Sequence, residues 1–246
     1  MRLIPAIDLK DGRCVRLLQG NFDAETRYEA SPLELLRAYR SLGADWLHVV
    51  DLDGARDGVP GNRELIERMA QHGDLKLQVG GGLRSAAAVE RMFDCGVARV
   101  VIGSVAVSDP ETVQEWLHRF GSERLTLAFD VRMDAGGTPC VATHGWQRQS
   151  DLPLWSALQR FDSGLLEHVL CTDVARDGAL QGPNLQLYGE AARRHPRIAW
   201  QASGGIRDAA DLRALAALGL GAAISGKALL EQRISREDLQ PFLPNA

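Results

Sequence analysis

Gln201-Ala202-Ser203-Gly204-Gly205-Ile206-Arg207 repeats an earlier stretch of the same chain, Gln78-Val79-Gly80-Gly81-Gly82-Leu83-Arg84. Gly81 and Gly204 lie 123 positions apart, half of the 246 residues. Their surroundings repeat as well. Ser85 and Asp208 each stand as an N-cap candidate before an Ala-rich helical stretch. Val101-Ile102-Gly103-Ser104 is answered, again at 123, by Ile224-Ser225-Gly226-Lys227. A short apolar run ending in Gly-Gly, followed by a capped helix, presents backbone N–H groups beyond a strand end, and such groups bind phosphate. The repeat therefore predicts two phosphate sites, one in each half of the chain.

Short Val/Ile/Leu runs recur along the whole sequence. They predict strands at Leu3–Asp8, Trp46–Asp51, Leu75–Gly80, Arg99–Gly103, Leu125–Asp130, His168–Thr172, Ile198–Ser203 and Ala222–Gly226. Stretches with helical spacing of apolar residues follow them, at 32–42, 62–72, 85–95, 152–161, 184–195 and 208–218. Asp109 caps a further helix opening at Pro110, a favoured first position. Short helices at 227–231 and 235–242 complete the set. Eight strand–helix units with continuous apolar strands predict a parallel sheet covered by helices. At this length the closed form fits better than an open sheet: a (β/α)8 TIM barrel, one α/β domain over 1–246. The repeat divides it into two duplicated half-barrels, near 1–122 and 123–246.

The repeat reaches the polar residues. Ile7-Asp8-Leu9 matches Phe129-Asp130-Val131 at an offset of 122. His48 to Asp53 matches His168 to Asp173 at 120, as Arg56-Asp57-Gly58 matches Arg176-Asp177-Gly178. Asn62 then matches Asn184 if two residues are inserted between them.

Composition narrows the function. A net charge of −4 without a basic block gives nucleic-acid binding no support. No apolar run approaches the roughly 18 residues that span a bilayer, and the opening Met1-Arg2-Leu3-Ile4-Pro5 is too soon charged for a signal peptide. Cys14, Cys95, Cys140 and Cys171 are scattered, which suits reduced thiols in a cytoplasmic protein. The six His residues show no zinc spacing, so no metal is expected.

Groups at the C-terminal ends of barrel strands face the active site. Asp8 and Asp130 end strands one and five, on opposite sides of one mouth. Two carboxylates so placed can serve as general base and general acid when their environments separate their pKa values. The alternative for each is an Asp that caps the following loop. The predicted phosphate grips are Gly81, Gly82, Gly103 and Ser104 in the first half, and Gly178, Gly204, Gly205, Gly226 and Lys227 in the second. The bland reading of these glycines is tight turns. Thr172, Asp173 and Asp177 could hold sugar hydroxyls, or Asp177 could close an Asx turn in Arg176-Asp177-Gly178. Trp146, on a long loop after strand five that begins at Gly136-Gly137, could stack on a planar ring or pack in the core. Arg84 and Arg207 could contact phosphate or cap the barrel rim.

Several segments together resemble a known family. They are Ile4-Pro5-Ala6-Ile7-Asp8-Leu9-Lys10-Asp11-Gly12, His48-Val49-Val50-Asp51-Leu52-Asp53-Gly54-Ala55, Gly80-Gly81-Gly82-Leu83-Arg84, Thr172-Asp173-Val174-Ala175-Arg176-Asp177-Gly178 and Ala202-Ser203-Gly204-Gly205-Ile206. The family is that of the phosphoribosylformimino-aminoimidazole carboxamide ribotide isomerases of histidine biosynthesis, the HisA family, and the resemblance spans the whole chain. It implies an Amadori rearrangement of a bisphosphorylated small molecule, without cofactor, in a monomer. It implies that Asp8 is the general base and Asp130 the general acid. Thr172 and Asp177 would assist and hold the substrate, and Trp146 would stack on the aminoimidazole; Arg84, from its place after the first Gly turn, is expected to bind the substrate as well. Ala179 departs from the family, which commonly has Thr after the Arg-Asp-Gly. The related cyclase shares the barrel and both Asp positions but typically opens with a Cys near the first Asp, where this chain has Pro5-Ala6-Ile7-Asp8. Two further alternatives are an isomerase that also takes phosphoribosylanthranilate and a phosphate-binding barrel without catalysis.

Overall fold

The computed structural model describes residues 1–18, 20–72, 75–143 and 148–245. Eight parallel strands form a closed ring: β1 (Arg2–Lys10), β2 (Trp46–Asp51), β3 (Lys76–Gly80), β4 (Arg99–Ile102), β5 (Leu125–Met133), β6 (His168–Asp173), β7 (Ala199–Ser203) and β8 (Ala222–Ser225). Each pairs with its neighbours in sequence, and β8 returns to β1 through Arg2↔Ala222 to Pro5↔Ser225. Helices pack outside. This is the (β/α)8 TIM barrel that the apolar runs predict.

Alternation along the strands splits the core in two. Leu3, Ile7, Leu9, Leu47, Val49, Leu77, Val79, Leu127 and Phe129 point outward and are buried against the helices. Ile4, Ala6, Trp46, Leu170, Ala222 and Ile224 point inward and form a separate, smaller cluster inside the ring. The helices begin where the sequence places caps. Ser31 and Glu34 make a reciprocal capping box, and the side chains of Ser85, Asp109 and Asp208 accept from first-turn amides. Each such cap stabilises its helix by about 1 kcal/mol.

A polar floor closes the inside of the ring. Gln78 Nε2 donates to Gln201 Oε1 at 2.7 Å, and Gln201 Nε2 returns a bond to Gln78 Oε1 at 3.1 Å. Thr126 Oγ1 donates to Gln78 Oε1 at 3.1 Å. Arg99 lies over the Trp46 ring at 4.4 Å and donates to His168 Nε2 at 2.7 Å.

Beyond two short helices absent from the sequence reading, Leu52–Asp57 and Ser104–Ser108, the structure departs from it in three places. An antiparallel ribbon, Arg13–Leu18 and Asn21–Arg27, follows β1, where no strand was expected. A second ribbon, Pro139–Thr143 and Arg148–Pro153, follows β5 in what reads as a long loop. The helix expected over 152–161 is confined to Leu154–Leu158, because the ribbon takes its first residues. The third departure concerns the repeat. Asp8 pairs in register with Val50, and Asp130 with Thr172, so position 50 corresponds to 172 at an offset of 122, not 120. Asp51 then takes the place of Asp173. Both are buried, and both accept an Asn amide at 2.7 Å, from Asn62 and Asn184. Strand side chains alternate with period two, so a two-residue slip keeps every residue on its side of the sheet. The hydrophobic pattern could not reveal it.

Candidate active site

One large cavity opens at the C-terminal ends of the strands. Asp8 and Asp130 both line it. They belong to β1 and β5, with three strands between them either way round the ring. Asp8 is buried. Burial pushes its carboxyl above the usual range; the Arg16 guanidinium pulls it back, and the Asp177 carboxylate adds to the rise. A carboxylate raised in this way is a stronger proton acceptor than a solvated one.

Arg16 carries no motif and escapes a sequence reading. It stands in the first ribbon between Val15 and Leu17, and its guanidinium joins two carboxylates. Nη1 donates to Asp8 Oδ2 at 3.1 Å and Nη2 to Asp177 Oδ1 at 2.6 Å. Ribbon alternation was the one available signal, because a polar residue between two buried apolar ones must face the opposite side.

The end of β6 separates its candidates. Thr172 is buried, lines the cavity and is the register partner of Asp130. Asp177 also lines the cavity. Asp173 points away from it and is spent on structure: Oδ1 accepts from the Ala175 amide at 3.1 Å and Oδ2 from Asn184. Asp173 therefore serves the loop and not the cavity, whereas the Asx turn considered at Asp177 gives way to a carboxylate that lines the cavity and accepts from Arg16.

The glycine turns repeat each other closely. Gly81 has φ +108° and Gly204 φ +98°. A β-carbon at Gly81 would lie 2.1 Å from the Asp51 carbonyl oxygen, and one at Gly204 would lie 2.8 Å from that of Asp173. These two must be glycine for the backbone alone. They still border the cavity, together with Gly82, Gly103, Ser104, Gly178, Gly205, Gly226 and Lys227. Lys227 Nζ donates to the Gly178 carbonyl at 3.0 Å and so bridges two loops of the second half.

The two rim arginines differ. Arg207 is committed to Asp211, through Nε at 3.0 Å and Nη2 at 2.8 Å, and this pair holds the Asp211 carboxyl below its usual range despite burial. Arg84 lines the cavity while donating to the Ala55 carbonyl at 3.0 Å. Trp146 lies outside the described residues. Inside the cavity's lower wall stands His48, whose pKa burial and Arg16 push down to about 4, leaving a neutral imidazole.

The cavity measures about 1190 Å³, above the roughly 300–1,000 Å³ of ordinary small-molecule sites. It has room for an elongated substrate with an anionic group at each end. Among the described residues no group of three or more His, Cys, Asp or Glu is placed to hold a metal ion. Among them, too, no helix is long and apolar enough to cross a membrane.

The fold is a TIM barrel in which carboxylates on opposite strands and two glycine turns border one cavity. The chain belongs to the histidine biosynthesis protein family, whose model matches residues 2–235. Three relatives show the same over nearly full length. Proteins of Alteromonas mediterranea, Shewanella loihica and Stenotrophomonas maltophilia are each 46% identical to it, over 95%, 99% and 94% of this chain and 95%, 100% and 94% of their own. Each is named 1-(5-phosphoribosyl)-5-((5-phosphoribosylamino)methylideneamino) imidazole-4-carboxamide isomerase.

Proposed function

We propose that this protein is the aldose–ketose isomerase of histidine biosynthesis, and that the Amadori rearrangement takes place between Asp8 and Asp130. The observation that carries this reading is the placement of the two carboxylates on opposite strands of one cavity. In the scheme Asp130 gives a proton to the ring oxygen of the aminoaldose. The ring C–O bond breaks and a protonated Schiff base forms at C1. Asp8, made more basic by burial, takes the proton from C2. The resulting enolamine tautomerises to the aminoketose. The proton given to the ring oxygen and the proton taken from C2 pass through side chains positioned by the barrel, and the enol hydrogen is lost from oxygen as C1 gains one to complete the ketone.

Phosphate binding at both ends holds the reacting carbons between these groups, with energy drawn from contacts remote from them. Gly81, Gly82, Gly103 and Ser104 grip one phosphate, and Gly178, Gly204, Gly205, Gly226 and Lys227 the other. The matched φ angles of Gly81 and Gly204 support a common origin for the two grips and for the half-barrels that carry them. Thr172, next to Asp130 in register, and Asp177 assist at the opened sugar. Arg84 contacts the first-half end, and Trp146 stacks on the aminoimidazole. We place the enzyme in the cytoplasm as a monomer acting on a bisphosphorylated substrate.

The test is turnover. Purified protein should convert the bisphosphorylated aminoaldose to its aminoketose without added cofactor. Binding of that substrate without conversion would reduce the protein to a phosphate-binding barrel and overturn the proposal.

A further inference from the structure

Arg16 has no part in the proton transfers just described, yet its guanidinium lies among the groups that perform them. Its side chain is largely buried, at 15% exposure. The two terminal nitrogens go to carboxylates on different elements, Asp8 on β1 and Asp177 in the loop after β6. The same ribbon closes against Gly226 and Gly178. A β-carbon at Gly226 would stand 3.1 Å from Arg16 Nη1, and one at Gly178 would stand 3.1 Å from the Leu17 carbonyl oxygen. Gly226 has an ordinary backbone conformation, with φ −106°, so its lack of a side chain makes room.

We propose that Arg16 is the positioning residue of the base: by bridging Asp8 to Asp177 it fixes the orientation of the Asp8 carboxylate and keeps it charged in the free enzyme. The inference rests on the reading of Asp8 as the base.

The groups around Asp8 leave this work to Arg16. From the first ribbon comes Cys14, and from just beyond its end Tyr28. Burial and Asp8 push the Cys14 thiol up to about 12, and burial raises the Tyr28 phenol, so both are neutral. His48 on β2, facing Arg16, is neutral as well. Lys227, beyond β8, directs its ammonium to the Gly178 carbonyl. The loop after β6 contributes Asp177, whose carboxylate opposes the charge on Asp8. Burial and a second carboxylate both favour a proton on Asp8, and the guanidinium is the hydrogen-bonded cation that opposes them. Removing one member of a buried ion group leaves the others uncompensated. Without Arg16, two carboxylates would share a desolvated gap and one would hold a proton. A Lys would restore charge but not the planar fork that spans two acceptors.

The experiment is the pH dependence of kcat/KM, which reports the free enzyme, for the full chain and for Arg16→Met, Arg16→Lys and Arg16→Met/Asp177→Asn. Asp8→Asn is measured alongside. Arg16→Met should move the acid limb up by about one pH unit or more. Arg16→Lys should leave the limb near its original place and lower kcat by about tenfold, because charge is kept and orientation is not. Adding Asp177→Asn to Arg16→Met should bring the limb back down, which a merely structural role would not do. Arg16→Gln carries the same test if the Met variant does not fold. An unmoved acid limb with a raised KM would make Arg16 a substrate contact and overturn the proposal. The underlying reading fails separately: full turnover in Asp8→Asn would remove the base itself, whereas an inactive Asp8→Asn with an unmoved limb in the Arg16 variants would remove only the role of Arg16.

Discussion

Gln78 and Gln201, 123 residues apart, exchange hydrogen bonds across the inside of the barrel at 2.7 and 3.1 Å. Both are buried. Their amides also meet Thr126, and Gln78 reaches His48 and Arg99. Gln78→Leu would leave several buried partners unsatisfied, at a cost of about 1–3 kcal/mol for each group orphaned. Gln201→Leu should cost less, having fewer partners. The double variant should cost less than the sum of the two, because the second change removes an amide that the first has already orphaned. Denaturant unfolding of the three variants checks this, and strict additivity would mean that the pair is not a coupled unit.

Asp8→Asn and Asp130→Asn should each lower kcat by at least about 10²-fold, the usual scale for a general base or acid. Neither residue grips a phosphate in the proposed scheme, so substrate affinity by calorimetry should change far less. The double variant should be little worse than the poorer single one, because the two groups serve one reaction sequence. Parallel loss of turnover and affinity would make the two Asp residues substrate holders.

The glycines separate by what a methyl group would meet. Gly81→Ala places a carbon 2.1 Å from the Asp51 carbonyl oxygen at φ +108°, so it should depress Tm sharply or prevent folding. Gly103→Ala meets its nearest atom at 3.9 Å, on Ala128, with an ordinary φ of −102°. That variant should melt near wild type and show a raised KM, because the added methyl enters the grip alone. Equal Tm losses in the two would contradict the assignment of Gly103 to phosphate.

Two histidines make stability depend on pH. Burial pushes His48 and His168 from 6.5 down to about 4, with Arg16 and Arg99 respectively adding to the effect. Between those values the unfolded chain takes up protons that the folded chain refuses. Their contribution is therefore complete above pH 6.5, falls as pH drops toward 4, and falls no further below it. Each histidine adds up to about 1.4 kcal/mol per pH unit in that window. Urea unfolding of His48→Gln should show a shallower decline there than wild type, and an identical slope would mean that His48 is protonated in the fold.

All eight barrel strands could be read from apolar runs, because strands buried on both faces are continuous in Val, Ile and Leu. The ribbons could not. Asn21-Phe22-Asp23-Ala24-Glu25-Thr26-Arg27 has five polar residues in seven, and Arg148–Pro153 has no apolar run at all. Asp8 and Asp130 were visible because they interrupt apolar strands at matching ends. Arg16 was not, since its significance lies in Asp177, 161 positions away. The correspondence of Asp51 with Asp173 needed the strand register, which sequence periodicity leaves free by two residues.

The polar floor has a consequence for traffic. Gln78, Thr126 and Gln201 are buried, and Arg99 stands over the Trp46 ring beside them, so the cavity is a blind alley. Whatever enters past the glycine rims must leave by the same door. In the proposed reaction, product waiting to depart would block the next substrate, and turnover should slow as product accumulates.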